Sequence, residues 1–236
     1  MSWHVATVVG ARPLTATARA LTLSVPGFVG ALPGQHVDVR LTAPDGYQAT
    51  RAYSLAETGQ DERVDLVVDE VADGEVSPYL VRDARPGDQL EVRGPLGGYF
   101  VWHDADTAPV LLVAGGSGVV PFLAMLRARR STGRRAPFRL VCSVRTPADA
   151  IERGEVDTPD RGFDVRWVFT REAPPGWATP PRRITTDDLV APGFGPADGT
   201  DVFVCGPTGF VEAAAGLLTG LGHPPDRVRT ERFGGA

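Results

Sequence analysis

Residues able to bind a ligand stand at four places in the 236-residue chain, three of them suited to phosphate. In Val113-Ala-Gly-Gly-Ser-Gly-Val-Val-Pro121, the residues Gly115, Gly116, Ser117 and Gly118 separate a strand-like run from a helix-like one. Glycines there let the backbone approach a pyrophosphate, and the free N–H groups of a helix N-terminus favour an anion. Pro121 suits the first helical turn, where its missing N–H costs nothing. A plain tight turn would use the same residues, and the last glycine of G-x-G-x-x-G is absent. In Arg51-Ala-Tyr-Ser54, strand alternation puts Arg51 and Tyr53 on one face. A guanidinium there can hold a phosphate while the ring stacks on a planar ligand. The plainer reading is a solvated arginine beside a half-buried tyrosine. Gly74-Glu-Val-Ser77 runs into Pro78, which predicts Ser77 as the N-cap of a short helix whose N–H groups suit a second phosphate. Val202-Phe-Val-Cys-Gly-Pro207 ends a strand with Cys205 at the edge where α/β sheets bind ligands, although a free cysteine is commonly just a small buried apolar residue.

Two kinds of element must position these residues. Up to residue 104, short β segments (Val5–Val9, Ala18–Val25, His36–Leu41, Arg51–Leu55, Val64–Asp69, Gln89–Arg93) alternate with Pro-Gly and Asp-Gly turns. That spacing predicts an antiparallel barrel. From residue 105 onward strands and helices alternate: Val110–Ala114, Val119–Arg130, Phe138–Val144, a helix near Ala148–Glu155, Phe163–Thr170, a short helix Thr186–Val190, Val202–Cys205 and Gly209–Leu221. This is the pattern of a doubly wound parallel sheet. The expected domains are therefore 1–104 and 105–236.

Hydrophobic residues make up 42% and charged residues 22%, which speaks against a disordered or fibrous chain. No apolar run reaches the roughly 20 residues of a membrane span, and no secretory signal is visible, so a cytoplasmic location is expected. Two cysteines and four scattered histidines offer no metal-ligand spacing. All 24 cationic residues are arginine, which excludes a lysine Schiff base and a P-loop lysine. Residues 1–104 carry 8 Arg against 14 Asp+Glu (−6) and residues 105–236 carry 16 against 15 (+1), together the net −5. The acidic first half disfavours nucleic acid. The arginine-rich second half suits an anionic small ligand.

Taken in order, Arg-x-Tyr-Ser, Gly-x-x-Ser, Gly-Pro-x-Gly, Gly-Gly-Ser-Gly-x-x-Pro, Cys-Gly-Pro and Glu-Arg-Phe-Gly resemble the ferredoxin–NADP reductase superfamily. The likeness runs from about His36 to Gly234 and is strongest to bacterial oxygenase reductases and flavin reductases. It implies a six-stranded Greek-key barrel that binds FAD, followed by a domain that binds NADPH, with NADH as the alternative. By motif match, Arg51 contacts the flavin pyrophosphate, Tyr53 stacks on the isoalloxazine, and Ser54 hydrogen-bonds near its reactive nitrogen. Gly74, Val76 and Ser77 cradle the pyrophosphate. Gly115, Gly116, Ser117 and Gly118 form the nucleotide turn. Cys205, Gly206 and Pro207 line the nicotinamide site, and Phe233 shields the flavin. Thr170 and Arg171, with Arg145, match residues that contact the 2′-phosphate of NADPH, and Arg183 could close that pocket.

The implied chemistry is hydride transfer from nicotinamide to flavin, with the protein orienting the two rings rather than supplying a general base. The implied acceptor is a ferredoxin or an oxygenase component. It would be a separate protein, because the chain shows no cysteine cluster of a fused 2Fe–2S domain. The alternatives are release of free reduced flavin, a ferric or siderophore reductase, and a redox-dead sensor or assembly subunit.

Overall fold

A computed structural model describes residues 2–59, 62–133 and 136–233. The chain divides into two compact units, Met1–His103 with Leu123–Ala128 and Asp104–Phe122 with Arg129–Ala236.

The first unit is a six-stranded antiparallel sheet of β1 (His4–Pro13), β2 (Ala18–Ser24), β3 (His36–Thr42), β4 (Gln48–Ser54), β5 (Arg63–Asp69) and β6 (Gln89–Leu96). Its strand order is β4-β3-β6-β1-β2-β5. The two outer strands approach each other through an antiparallel bridge, Leu55 to Leu66, and through Ala56 N–H donating to the Asp65 carbonyl at 2.9 Å, which closes the sheet into the expected barrel. Alternation fills the interior. Ala6 and Val8, Leu21 and Leu23, Val37 and Val39, Val64, Leu66 and Val68, and Leu90 and Val92 form one buried cluster. A π-helical turn, Tyr79–Asp83, buries Leu80 against it.

The cap predicted at Ser77 takes another form. Pro78, with helical angles, precedes the turn and no side chain caps it. The Ser77 hydroxyl instead accepts the Val71 N–H at 3.0 Å and closes the loop that holds Gly74.

In the second unit, β7 (Val110–Gly115), β8 (Phe138–Val144), β9 (Phe163–Phe169), β10 (Asp201–Pro207) and β11 (Val228–Phe233) form a parallel sheet in the order β11-β10-β7-β8-β9. All six residues of β7 are buried, as a central strand covered on both faces requires. The chain starts in the middle and winds first to one side, then to the other, so the order reverses between β7 and β10. The helices are α1 (Val120–Ser131), α2 (Arg153–Val156), α3 (Thr186–Leu189) and α4 (Thr208–Gly220). No helix among the described residues is long and apolar enough to cross a membrane.

Two expectations change here. The helix near Ala148–Glu155 is a 3-10 turn, Pro147–Asp149, followed by the single turn α2, because Glu152 takes a left-handed φ of 48° between them. Strand β11 adds a fifth strand to the four expected in this sheet. It pairs with β10 alone, and the mostly polar Arg229-Thr-Glu-Arg232 lacks the apolar run of a central strand.

Candidate functional site

On the barrel unit, Arg51 and Tyr53 follow the inward-facing Ala49 at alternate positions of β4. Tyr53 is half-buried against the barrel core, and this burial pushes its phenol well above the ordinary range. Arg51 stays exposed. Its Nη2 donates to Glu75 Oε2 at 2.5 Å and its Nη1 to the Thr50 carbonyl at 2.8 Å. The Tyr47 hydroxyl donates to Glu75 Oε1 at 2.5 Å. This pair joins the Arg-x-Tyr-Ser strand to the Gly-x-x-Ser loop, and an anionic oxygen already lies on the guanidinium. Tyr47 first and Arg51 second hold the Glu75 carboxyl below its ordinary range.

Ser54 stands beside His36 in the β3–β4 register. The side chain of Val76 is wholly buried in the core, so only its backbone can face a ligand. Gly74 is closely packed, since a Cβ there would lie 3.0 Å from both the Ser77 hydroxyl and the Val71 carbonyl oxygen. Tyr47 and Glu75 also line a cleft of about 530 Å³, with Leu41, Ala49, Tyr79 and Leu90.

On the parallel-sheet unit, the Gly115–Gly118 turn leaves the carboxyl end of β7 and Cys205-Gly-Pro207 ends β10. These are the two strands at the point where the order reverses, the crevice in which open α/β sheets take ligands. The glycines divide by role. A Cβ on Gly118 would lie 2.1 Å from the Cys205 carbonyl oxygen, and one on Gly115 would lie 2.5 Å from the Phe210 ring. Both are therefore needed to pack the turn against β10 and α4. Gly116 alone combines a left-handed φ of 55° with open space. Ser117 is half-buried in the 3-10 turn Gly116–Val119 that precedes α1.

Cys205 is 1% exposed. Burial pushes its thiol well up and the Glu231 carboxylate adds to this, while the Gly206 amide offsets part. The group is a thiol and no thiolate nucleophile. Phe233 is the register partner of Pro207 across β10 and β11, and Gly234 of the same motif lies outside the described residues.

Sequence reasoning missed Glu231. It stands beside Cys205 in the register, and burial raises its carboxyl to about 7. Its place in Glu-Arg-Phe-Gly was visible, but only strand pairing puts it next to the thiol.

The arginines expected to bind phosphate gather at the carboxyl ends of β8 and β9. The Arg145 carbonyl accepts the Arg171 N–H at 2.9 Å and the Glu172 N–H at 3.1 Å, and Thr170 N–H donates to the Val144 carbonyl at 2.9 Å. Arg145, Arg171 and Arg183 are exposed and form no ion pair among the described residues. Their neighbour Arg182 is committed, with two bonds of 2.6 and 2.7 Å to the fully buried Asp188.

Residues 7–101 match the oxidoreductase FAD-binding domain, and residues 112–216 match the oxidoreductase NAD-binding domain. Ferredoxin–NADP reductase B of Sorangium cellulosum is 33% identical, the alignment covering 97% of this chain and 96% of that protein. The chain belongs to the ferredoxin–NADP reductase family. FAD and a nicotinamide nucleotide are thus the cofactors of this family member's two domains, and the expected fold is the observed one.

The toluate 1,2-dioxygenase electron transfer component of Pseudomonas putida is 29% identical over 86% of this chain and 58% of its own length. The chain spans 58 to 60% of the length of the first curated relatives it matches. Among solved structures, an Amycolatopsis cytochrome P450 reductase superposes with a TM-score of 0.84 at 26% identity, covering 98% of this chain and 70% of that one.

Proposed function

We propose that this protein takes hydride from NADPH onto FAD held by the barrel unit and delivers the electrons to a soluble redox protein, a ferredoxin or an oxygenase component. The observation that carries the reading is the Gly115–Gly118 turn and Cys205–Pro207 at the sheet's reversal point, with the exposed Arg145 and Arg171 directly after the carboxyl ends of β8 and β9. When bound, FAD supplies the two-electron to one-electron conversion that no side chain offers.

The remaining work falls to the chain. Arg51, already shaped around a carboxylate, takes the flavin pyrophosphate, with the backbone of Gly74, Val76 and Ser77 beside it. Tyr53 presents its ring to the isoalloxazine, and Ser54 supplies a hydroxyl at the flavin's edge. Gly116 and Ser117 receive the nucleotide pyrophosphate on backbone N–H groups. Thr170, Arg171, Arg145 and Arg183 select the 2′-phosphate through charge-assisted hydrogen bonds. Cys205, buried and neutral, gives the nicotinamide an uncharged wall. Glu231, with a carboxyl that titrates near 7, can hold a proton there at neutral pH. Phe233 covers the outer face of the flavin.

Relatives that serve toluate and propane oxygenases favour an oxygenase or ferredoxin acceptor. A second reading, release of reduced flavin as a product, is favoured by the Arg51–Glu75 pair, because the arginine needed to retain FAD already holds a competing anion. The test is to purify the protein, record its visible spectrum and add NADPH or NADH without oxygen. A yellow protein bleached faster by NADPH is the expected result. A colourless protein that neither binds added FAD nor oxidises NADPH overturns the reading.

A further inference from the structure

We infer that Glu75 is a built-in competitor of the flavin pyrophosphate for Arg51, and that it makes FAD exchangeable where a chain without this carboxylate would retain it. The inference rests on the proposed role of Arg51 in holding FAD. Arg51 is the cation of its motif, yet its Nη2 is bonded at 2.5 Å to Glu75 Oε2. Glu75 does not hang loosely, because the Tyr47 hydroxyl fixes its other oxygen at 2.5 Å. The carboxylate is therefore held in one place, on a guanidinium edge of the kind a phosphate would use.

The pair is open to a ligand. The side chains of Arg51 and Glu75 are 51% and 44% exposed, and Tyr47 and Glu75 form part of the wall of the 530 Å³ cleft. Of the guanidinium's donors, one Nη2 proton is taken by Glu75 and one Nη1 proton by the Thr50 carbonyl. A pyrophosphate must either displace the carboxylate or share the guanidinium with it at close quarters. Displacement gives up a charge-assisted bond. Sharing sets a carboxylate beside a doubly charged diphosphate, which at a few ångströms in solvent weakens binding by about tenfold. Either route lowers affinity and speeds release. The neighbouring positions of the loop, Gly74, Val76 and Ser77, are held by packing and by the Val71–Ser77 bond, and so do not depend on the charge of Glu75.

The test compares the full-length chain with its Glu75→Gln and Glu75→Ala variants. FAD affinity is measured by titration, and release is followed by the rise of flavin fluorescence after dilution. The expected result is about tenfold tighter binding and slower release in both variants, with the gap to the wild type narrowing as salt screens the charge. Unchanged or weaker binding in both variants overturns the inference and makes Glu75 a positioning residue for Arg51. Arg51→Gln serves as the separate control. If it keeps full FAD affinity, the flavin-site reading itself fails, whatever the Glu75 variants do.

Discussion

The α carbon of Gly118 lies so close to the carbonyl of Cys205 that a methyl group there would come within 2.1 Å of the oxygen. The nucleotide turn after β7 and the Cys205 end of β10 are thereby locked together. Gly118→Ala must push the two apart, and overpacking of this kind costs about 1–3 kcal/mol. A thermal melt should show the loss, together with weakened NADPH binding. Gly116→Ala meets no atom and carries only the cost of its left-handed backbone, about 1–2 kcal/mol. Equal melting temperatures for Gly118→Ala and the wild type would contradict this account of the packing.

Glu231 carries a pH signature. Burial raises its carboxyl from the ordinary 4.5 to about 7, so the folded chain binds this proton more tightly than the unfolded chain does. The resulting stability is complete below about 4.5 and is lost as the pH rises through about 7. Glu231→Gln should abolish that decline. The check is denaturation of wild type and variant across pH 4.5–8; parallel curves would show that the carboxyl is not desolvated.

Nucleotide choice should track the exposed arginines Arg145, Arg171 and Arg183. Arg171→Ala is expected to raise the KM for NADPH about tenfold, the scale of a lost hydrogen bond between charged groups, and to leave that for NADH nearly unchanged. Arg183→Ala should act in the same direction. Steady-state kinetics with both nucleotides decides it, and equal losses for the two would remove the 2′-phosphate assignment.

Asp188 works at one remove from that cluster. Burial alone would raise its carboxyl, but Arg182 and the Thr185 backbone and hydroxyl outweigh it and hold the group at about 2. Its stabilisation is therefore present above the ordinary 3.8 and lost as the pH falls through about 2. Asp188→Asn leaves Arg182 and Arg166 without their shared carboxylate and should cost about 3 kcal/mol in a denaturant titration. A variant as stable as the wild type would mean that these arginines do not need the buried charge.

How much was legible in advance follows from which interactions are local. Strand alternation, Pro-Gly turns and the strand–glycine–helix sequence at Gly115–Gly118 are properties of neighbouring residues. They were enough to indicate both sheets, most of the helices and the ordered set of motifs that marks the family. Ser77, Glu152 and β11 departed from expectation where distant partners or backbone strain decided the outcome. The Ser77 hydroxyl goes to Val71 rather than to a helix end, and the polar β11 forms because β10 offers it an open edge.

The amino-acid sequence by itself determined the two kinds of sheet, the order of the motifs and the types of group present at each, because these depend on residue chemistry and short-range periodicity. Only the tertiary structure decided which groups are engaged. It put Glu75 on Arg51, Glu231 beside Cys205 and Asp188 on Arg182, leaving Arg171 and Arg183 exposed. Those pairings span from 6 to 26 residues of chain, and a charge settles on its partner according to burial and distance in space, which composition and spacing along the chain do not encode.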